Sequence, residues 1–165
     1  VGSEMCIRDR LFADKFGKDE ITMNHIAVVY WSGTGNTEQM AQAVLEGAKE
    51  SGASSECFSA DEFDGTMMDN YDRISFGCPA MGAEELEEGE FQPMFESCRL
   101  KLEGKRIALF GSYGWGDGEW MRNWVEQMEG AGATVVGGED AICQEAPDED
   151  AQDELKAMGK QLAAI

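Results

Sequence analysis

Cations are the scarcest chemistry in this chain. Its 165 residues carry 13 Lys plus Arg against 33 Asp plus Glu, a formal net charge of −20, and one histidine. Such a surface repels nucleic acid and anionic lipid and favours partners that present basic patches. Solubility alone would also account for the charge. The five cysteines (Cys6, Cys57, Cys78, Cys98, Cys143) are odd in number, widely spaced and never in a C-x-x-C pair. That pattern argues against a disulfide framework, a zinc site or an iron–sulfur cluster. No apolar run approaches the ~20 residues of a membrane span and no signal peptide is recognisable, so a soluble, cytoplasmic protein is expected. Internal repeats and low-complexity tracts are missing as well.

What is present suits one domain with a sizeable core. Residues 1–22 stand apart, holding four of the 13 basic residues and no sustained helical pattern. The opening "VGSEMCIRD" resembles translated adapter sequence, and Met23 directly precedes the first convincing strand. Residues 1–22 are therefore read as an N-terminal extension, non-native or disordered, and 23–165 as the folded domain.

From Met23 onward strand and helix signals alternate. Strands are predicted at His25–Tyr30, Ser54–Ser59, Arg73–Gly77, Arg106–Phe110 and somewhere within Thr134–Cys143. The runs "IAVVY", "ISFG" and "IALFG" suit strands buried on both faces. Helices are predicted at Thr37–Glu50, weakly near Asp61–Met68, then at Phe91–Cys98, Glu119–Gly130 and Asp150–Ala163. Pro147 and the acidic residues after it suit the start of the last helix. Five β–α units in series imply an α/β fold, a doubly wound parallel sheet with helices on both sides.

In such a sheet ligands sit outside the carboxyl ends of the strands. Three loops leave those ends with unusual residues. The first, in "YWSGTGNTE", spans Ser32–Thr37: Gly33 and Gly35 let backbone approach a ligand, and Ser32, Thr34, Asn36 and Thr37 add neutral donors. A helix end contributes roughly half a positive charge, so a phosphate can settle there without a cation. The string is neither a Walker A loop (G-x-x-x-x-G-K-S/T is absent) nor G-x-G-x-x-G, since Glu38 replaces the third Gly. A single terminal phosphate fits better than a triphosphate or a dinucleotide. The second loop is "CPAMGAEELEEGE", Cys78–Glu90, in which Met81 offers a soft side chain and Gly82 an unhindered peptide. Most of its glutamates read as solvated surface; Glu84 is singled out as an acceptor for a ring N–H. The third, "GSYGWGDGEWM", places Trp115 between glycines, free to lie flat on a planar ligand. Trp120 and Trp124 fall i, i+4 and read as core, and Trp31 is ambiguous.

Together "VVYWSGTGNTEQMA", "GCPAMGAEELEEGEFQP" and "ALFGSYGWGDGEWM" resemble the flavodoxin family, short-chain type, from Met23 to the C-terminus. The segment "TVVGGEDAICQ" is too short for the insertion of long-chain members. The resemblance implies a flavodoxin-like three-layer sandwich with a five-stranded parallel sheet in the order 2-1-3-4-5. It also implies FMN, bound without a covalent link in 23–165. The phosphate would take Ser32, Gly33, Thr34, Gly35, Asn36 and Thr37. The ring would lie between Met81 and Trp115, within Pro79, Ala80, Met81, Gly82, Ala83 and Glu84 on one side and Ser112, Tyr113, Gly114, Trp115, Gly116 and Asp117 on the other. In similar proteins the peptide at the Gly82 position flips on one-electron reduction, so that its carbonyl accepts a hydrogen bond from N5. Here Ala83 follows where relatives often carry Asp, Ser or Asn, and Pro79 stands where some have Ser.

The implied function is low-potential, one-electron transport between redox enzymes, with no substrate turnover of its own. One fixed negative charge ~10 Å from the ring, at an effective dielectric near 20, costs about 1.7 kcal/mol before screening. That is a lowering of roughly 70 mV per charge. Expected partners are redox proteins with basic docking surfaces, and a monomer is expected for a shuttle. The alternative is an NAD(P)H-dependent flavin or quinone reductase on the same fold. Such an enzyme needs room for nicotinamide and basic residues for its phosphates, which the three loops lack. A phospho-receiver would need an Asp ending the third strand, where "ISFGCPAMG" has none. A low-molecular-weight phosphatase would need Arg six residues after Cys78, where Glu84 stands. A Ser-His-Asp hydrolase is remote, because His25 sits at the start of the first strand.

Overall fold

A computed structural model describes residues 25–81, 85–114, 116, 118–139 and 141–164. The extension expected at 1–22 lies outside the described residues. The chain runs β1 (His25–Tyr30), α1 (Asn36–Glu50), β2 (Ser54–Ser59), β3 (Arg73–Gly77), α2 (Phe91–Cys98), β4 (Arg106–Tyr113), α3 (Glu119–Gly130), β5 (Thr134–Val136), β6 (Ile142–Gln144) and α4 (Glu149–Ala164). Every strand pairing is parallel and the order is β2-β1-β3-β4-β5.

The apolar runs explain the layers. Along β1, successive side chains alternate between sheet faces. Ala27 and Val29 join Phe76, Phe91, Phe95, Trp120 and Trp124 under α2 and α3. Ile26 and Val28 join Met40, Val44, Leu155 and Leu162 under α1 and α4. On the first side, Phe76, Phe91, Phe95 and Trp124 meet largely edge to face, with centroids 5.5–6.4 Å apart. Each such pair adds ~0.5–1.5 kcal/mol beyond burial. On the second side α1 and α4 touch through glycine: a Cβ on Gly159 would lie 2.2 Å from the Val44 carbonyl oxygen, and one on Gly47 2.0 Å from that of Lys156.

Two expectations need correction. The stretch 61–68 forms no α-helix but two short 3₁₀ turns, Ala60–Glu62 and Gly65–Asn70. Capping divides it: the Glu62 carboxylate accepts the Ser59 N–H at 3.0 Å, and Asp64 accepts that of Thr66 at 2.9 Å, restarting the chain. The fifth strand is two strands. β5 pairs with Arg106–Ala108 and β6 with Gly111–Tyr113, both on β4. Gly137 and Gly138, at φ 84° and 64°, break the extended run between them. β4 is correspondingly longer than predicted, reaching Tyr113.

Candidate functional site

At the carboxyl ends of β1, β3 and β4 the three loops close around one cavity of about 300 Å³. That is the lower end of the range for small-molecule sites. Gly33, Thr34 and Asn36 line it from the first loop and Pro79, Ala80 and Met81 from the second. Ser112, Tyr113 and Gly114 line it from the third. None of the described residues that line it is Lys or Arg.

The first loop is shaped by residues that do not themselves line the cavity. Gly35, at φ 96°, is the N-cap of α1 and donates its N–H to Ser32 Oγ at 3.0 Å. No side chain caps the helix, so its first-turn N–H groups, at Asn36 and beyond, are left for a ligand. Thr37 is buried beneath, its hydroxyl 3.1 Å from that of Ser112, which ties the start of α1 to the end of β4.

The second loop begins as an extension of the sheet: Cys78 N–H donates to the Phe110 carbonyl at 3.1 Å and Ala80 N–H to that of Ser112 at 3.0 Å. Met81 and Glu85 then exchange two hydrogen bonds of 2.8 Å, so the chain leaves at Met81 and returns beside it. Gly82, Ala83 and Glu84, between them, lie outside the described residues, as do Trp115 and Asp117. Further on, Glu87 accepts the N–H groups of Gly89, Glu90 and Phe91 at 2.7–2.9 Å, capping α2. Burial works upward on its carboxyl, but those three donors outweigh burial and hold it below the usual range. Burial pushes the neighbouring Cys78 thiol far up, so it stays neutral, and its sulfur accepts the Glu87 N–H at 3.3 Å.

The third loop is stitched from below and from the side. The Trp120 indole donates to the Cys78 carbonyl at 3.1 Å, joining α3 to the second loop. Gly116 and Gly118 both take φ 91°, and Gly118 is the N-cap of α3. Trp120 and Trp124 are buried, as their spacing predicts.

Three residues of the site escaped sequence reasoning. Trp31 lines the cavity, with its indole N–H donating to the Glu90 carboxylate at 3.1 Å and its ring over Gly33. Glu90, read as solvated surface, thereby fastens the first loop to the second. Glu145 also lines the cavity, and its N–H donates to the Tyr113 carbonyl at 2.8 Å. Trp31 and Glu90 are 59 residues apart, beyond any local pattern. The flanking position of Trp31 beside the glycine loop was the one usable signal.

Residues 28–158 match the family model described as flavodoxin. The chain belongs to the flavodoxin family. It is 47% identical over 138 residues to the flavodoxin of Clostridium beijerinckii, covering 84% of this chain and 99% of that one. Identity to the flavodoxin of Megasphaera elsdenii is 45% over 138 residues, covering 84% and 98%. The solution structure of two-electron reduced M. elsdenii flavodoxin superposes with a TM-score of 0.78 at 44% identity, covering 85% of this chain and 99% of that one. An archaeal flavodoxin structure gives 0.75 at 25% identity, covering 85% and 96%.

Flavodoxins are FMN-dependent electron carriers rather than enzymes, and the cavity suits that cofactor. Its first-loop end, among the described residues, carries no charged side chain and holds an uncapped helix start. Its other end is apolar, with Met81, Ala80 and Pro79 on the wall. Among the described residues no group of three His, Cys, Asp or Glu could hold a metal, and no helix is long and apolar enough to cross a membrane.

Proposed function

We propose that this flavodoxin is a low-potential, single-electron shuttle that docks on basic faces of redox proteins as a monomer in the cytoplasm. FMN supplies the one-electron redox chemistry when bound. The observation that carries the reading is the cavity's lining: three loops on one sheet edge, an uncapped helix N-terminus, and no cation among the described lining residues.

In this reading Ser32, Gly33, Thr34, Gly35, Asn36 and Thr37 hold the phosphate through backbone N–H and hydroxyl donors. Thr37 acts partly by fixing the loop on Ser112. Pro79, Ala80 and Met81 with Gly82, Ala83 and Glu84 form one side of the ring site. Ser112, Tyr113 and Gly114 with Trp115, Gly116 and Asp117 form the other. Glu84 accepts a ring N–H, and the Gly82 peptide, free of a side chain, can present either its N–H or its carbonyl to the flavin. With no cation among the described lining residues, added negative charge on the flavin is left uncompensated there, which lowers the potential. The overall charge of −20 steers the carrier to basic docking sites.

Mixing the FMN-loaded protein anaerobically with NADH or NADPH tests the carrier role. The flavin absorbance is expected to stay unchanged until a separate flavoprotein reductase is added. Rapid bleaching by the nicotinamide alone would assign the protein to the reductases instead.

A further inference from the structure

Glu145 combines two properties that occur together nowhere else in the described chain. Among the described residues lining the cavity it is the one carboxylate. Among the described residues it is the one non-glycine with a left-handed backbone, at φ 60°. Glutamate has no preference for that conformation, which Gly or Asn adopts with less strain. Strained backbone of this kind collects at functional sites, where the surroundings over-determine it.

The surroundings here do so. The Glu145 N–H donates to the Tyr113 carbonyl at 2.8 Å, and the preceding Gln144 side chain donates to the Gly114 carbonyl at 3.3 Å. The Cys143 thiol lies 3.4 Å from the Glu145 carbonyl oxygen, and β6 pairs with β4 immediately before it. The residue is thus fixed beside the third loop, and none of the described lining residues is a Lys or Arg that could neutralise it.

We propose that Glu145 is a charge-selecting residue of the cavity, disfavouring each further negative charge placed there. It would act on the cofactor's phosphate and on the added charge of reduction, without serving as a hydrogen-bonding anchor. This inference rests on the FMN reading above. A charge ~10 Å away in a partly shielded site changes binding of an anion about fivefold or more at low ionic strength, and less as salt is added.

The test is titration of the apoprotein with FMN and with riboflavin, for the wild type, Glu145→Gln and Glu145→Asn. Gln removes the charge at constant size, and Asn also suits the left-handed backbone, so at least one folded neutral variant is available. Both variants are expected to bind FMN about fivefold tighter at 10 mM salt and riboflavin less than twofold tighter, with the difference shrinking by 500 mM. Where the gain is tenfold for the fully reduced over the oxidised cofactor, the two-electron midpoint potential rises by about 30 mV. Equal changes for both flavins, or none, would overturn the charge role while leaving the FMN reading intact. A wild-type apoprotein that takes up no FMN would overturn both.

Discussion

Single side chains hold the loops of this site in place, and their charges make the holding pH-dependent. Glu87 is the clearest case, because its carboxyl is held below the usual range by the three N–H donors at the start of α2. A group with a depressed folded value stabilises above its unfolded value, about 4.3 for Glu, and loses that stabilisation as pH falls through the folded value. Urea stability of the wild type should therefore decline below about pH 4.3 more steeply than that of Glu87→Gln. At pH 7 the variant should be about 1 kcal/mol less stable, as for loss of a helix cap. Gly33 gives a second test. A Cβ there would lie 3.0 Å from the Trp31 ring, which Glu90 keeps from moving away. Gly33→Ala should cost about 1–3 kcal/mol, and most of the cost should vanish in a Trp31→Ala background. Denaturant titration of the four proteins of that cycle measures it. Neither Trp31 nor Glu90 could be assigned from sequence, since the bond joins loops from different β–α units. Glu145 was equally hidden, because nothing in a glutamate signals a left-handed backbone. The glycine-rich strings were legible for the opposite reason: Gly35, at φ 96°, occupies a conformation its residue type announces.

At the scale of elements, β1 and β3 were legible to the residue because buried parallel strands are short apolar runs with polar ends. The split of the fifth strand was not, since its two pieces owe their existence to separate halves of β4. Nor were the 3₁₀ turns at 60–70. There Gly65 packs directly on α2, with the Ser97 carbonyl oxygen 2.0 Å from where a Cβ would stand. The α1–α4 contact makes a comparable demand. Gly159→Ala drives a methyl group into backbone at 2.2 Å, so the helices must separate. A loss of about 3 kcal/mol is expected, at the upper end for overpacked cores, read as a fall in the thermal midpoint of the apoprotein. The ion pairs Lys156–Glu46 and Lys160–Glu50, at 3.2 and 3.1 Å across the same interface, are solvent-screened and add little to stability. The helix start at Asn36 owes its availability to the same economy of side chains: with no side-chain cap on α1, its first N–H groups are free of the bond that a Ser or Asp makes elsewhere.

For the molecule as a whole, charge decides what meets the cavity and what the cavity accepts. With a net charge of −20, encounter with a basic redox protein is electrostatically accelerated. The second-order rate of electron transfer to such a partner should fall about tenfold or more between 10 and 200 mM salt, as followed by stopped-flow absorbance. Composition made the acidity legible at once, because a count of charges needs no fold, whereas the meeting of the three loops around one cavity needed the sheet. Anaerobic spectroelectrochemical titration of the FMN-loaded protein bears most directly on the central claim. Two separate waves are predicted, each with a one-electron slope, and the second well below the potential of free FMN. A single two-electron wave at the potential of free FMN would contradict it.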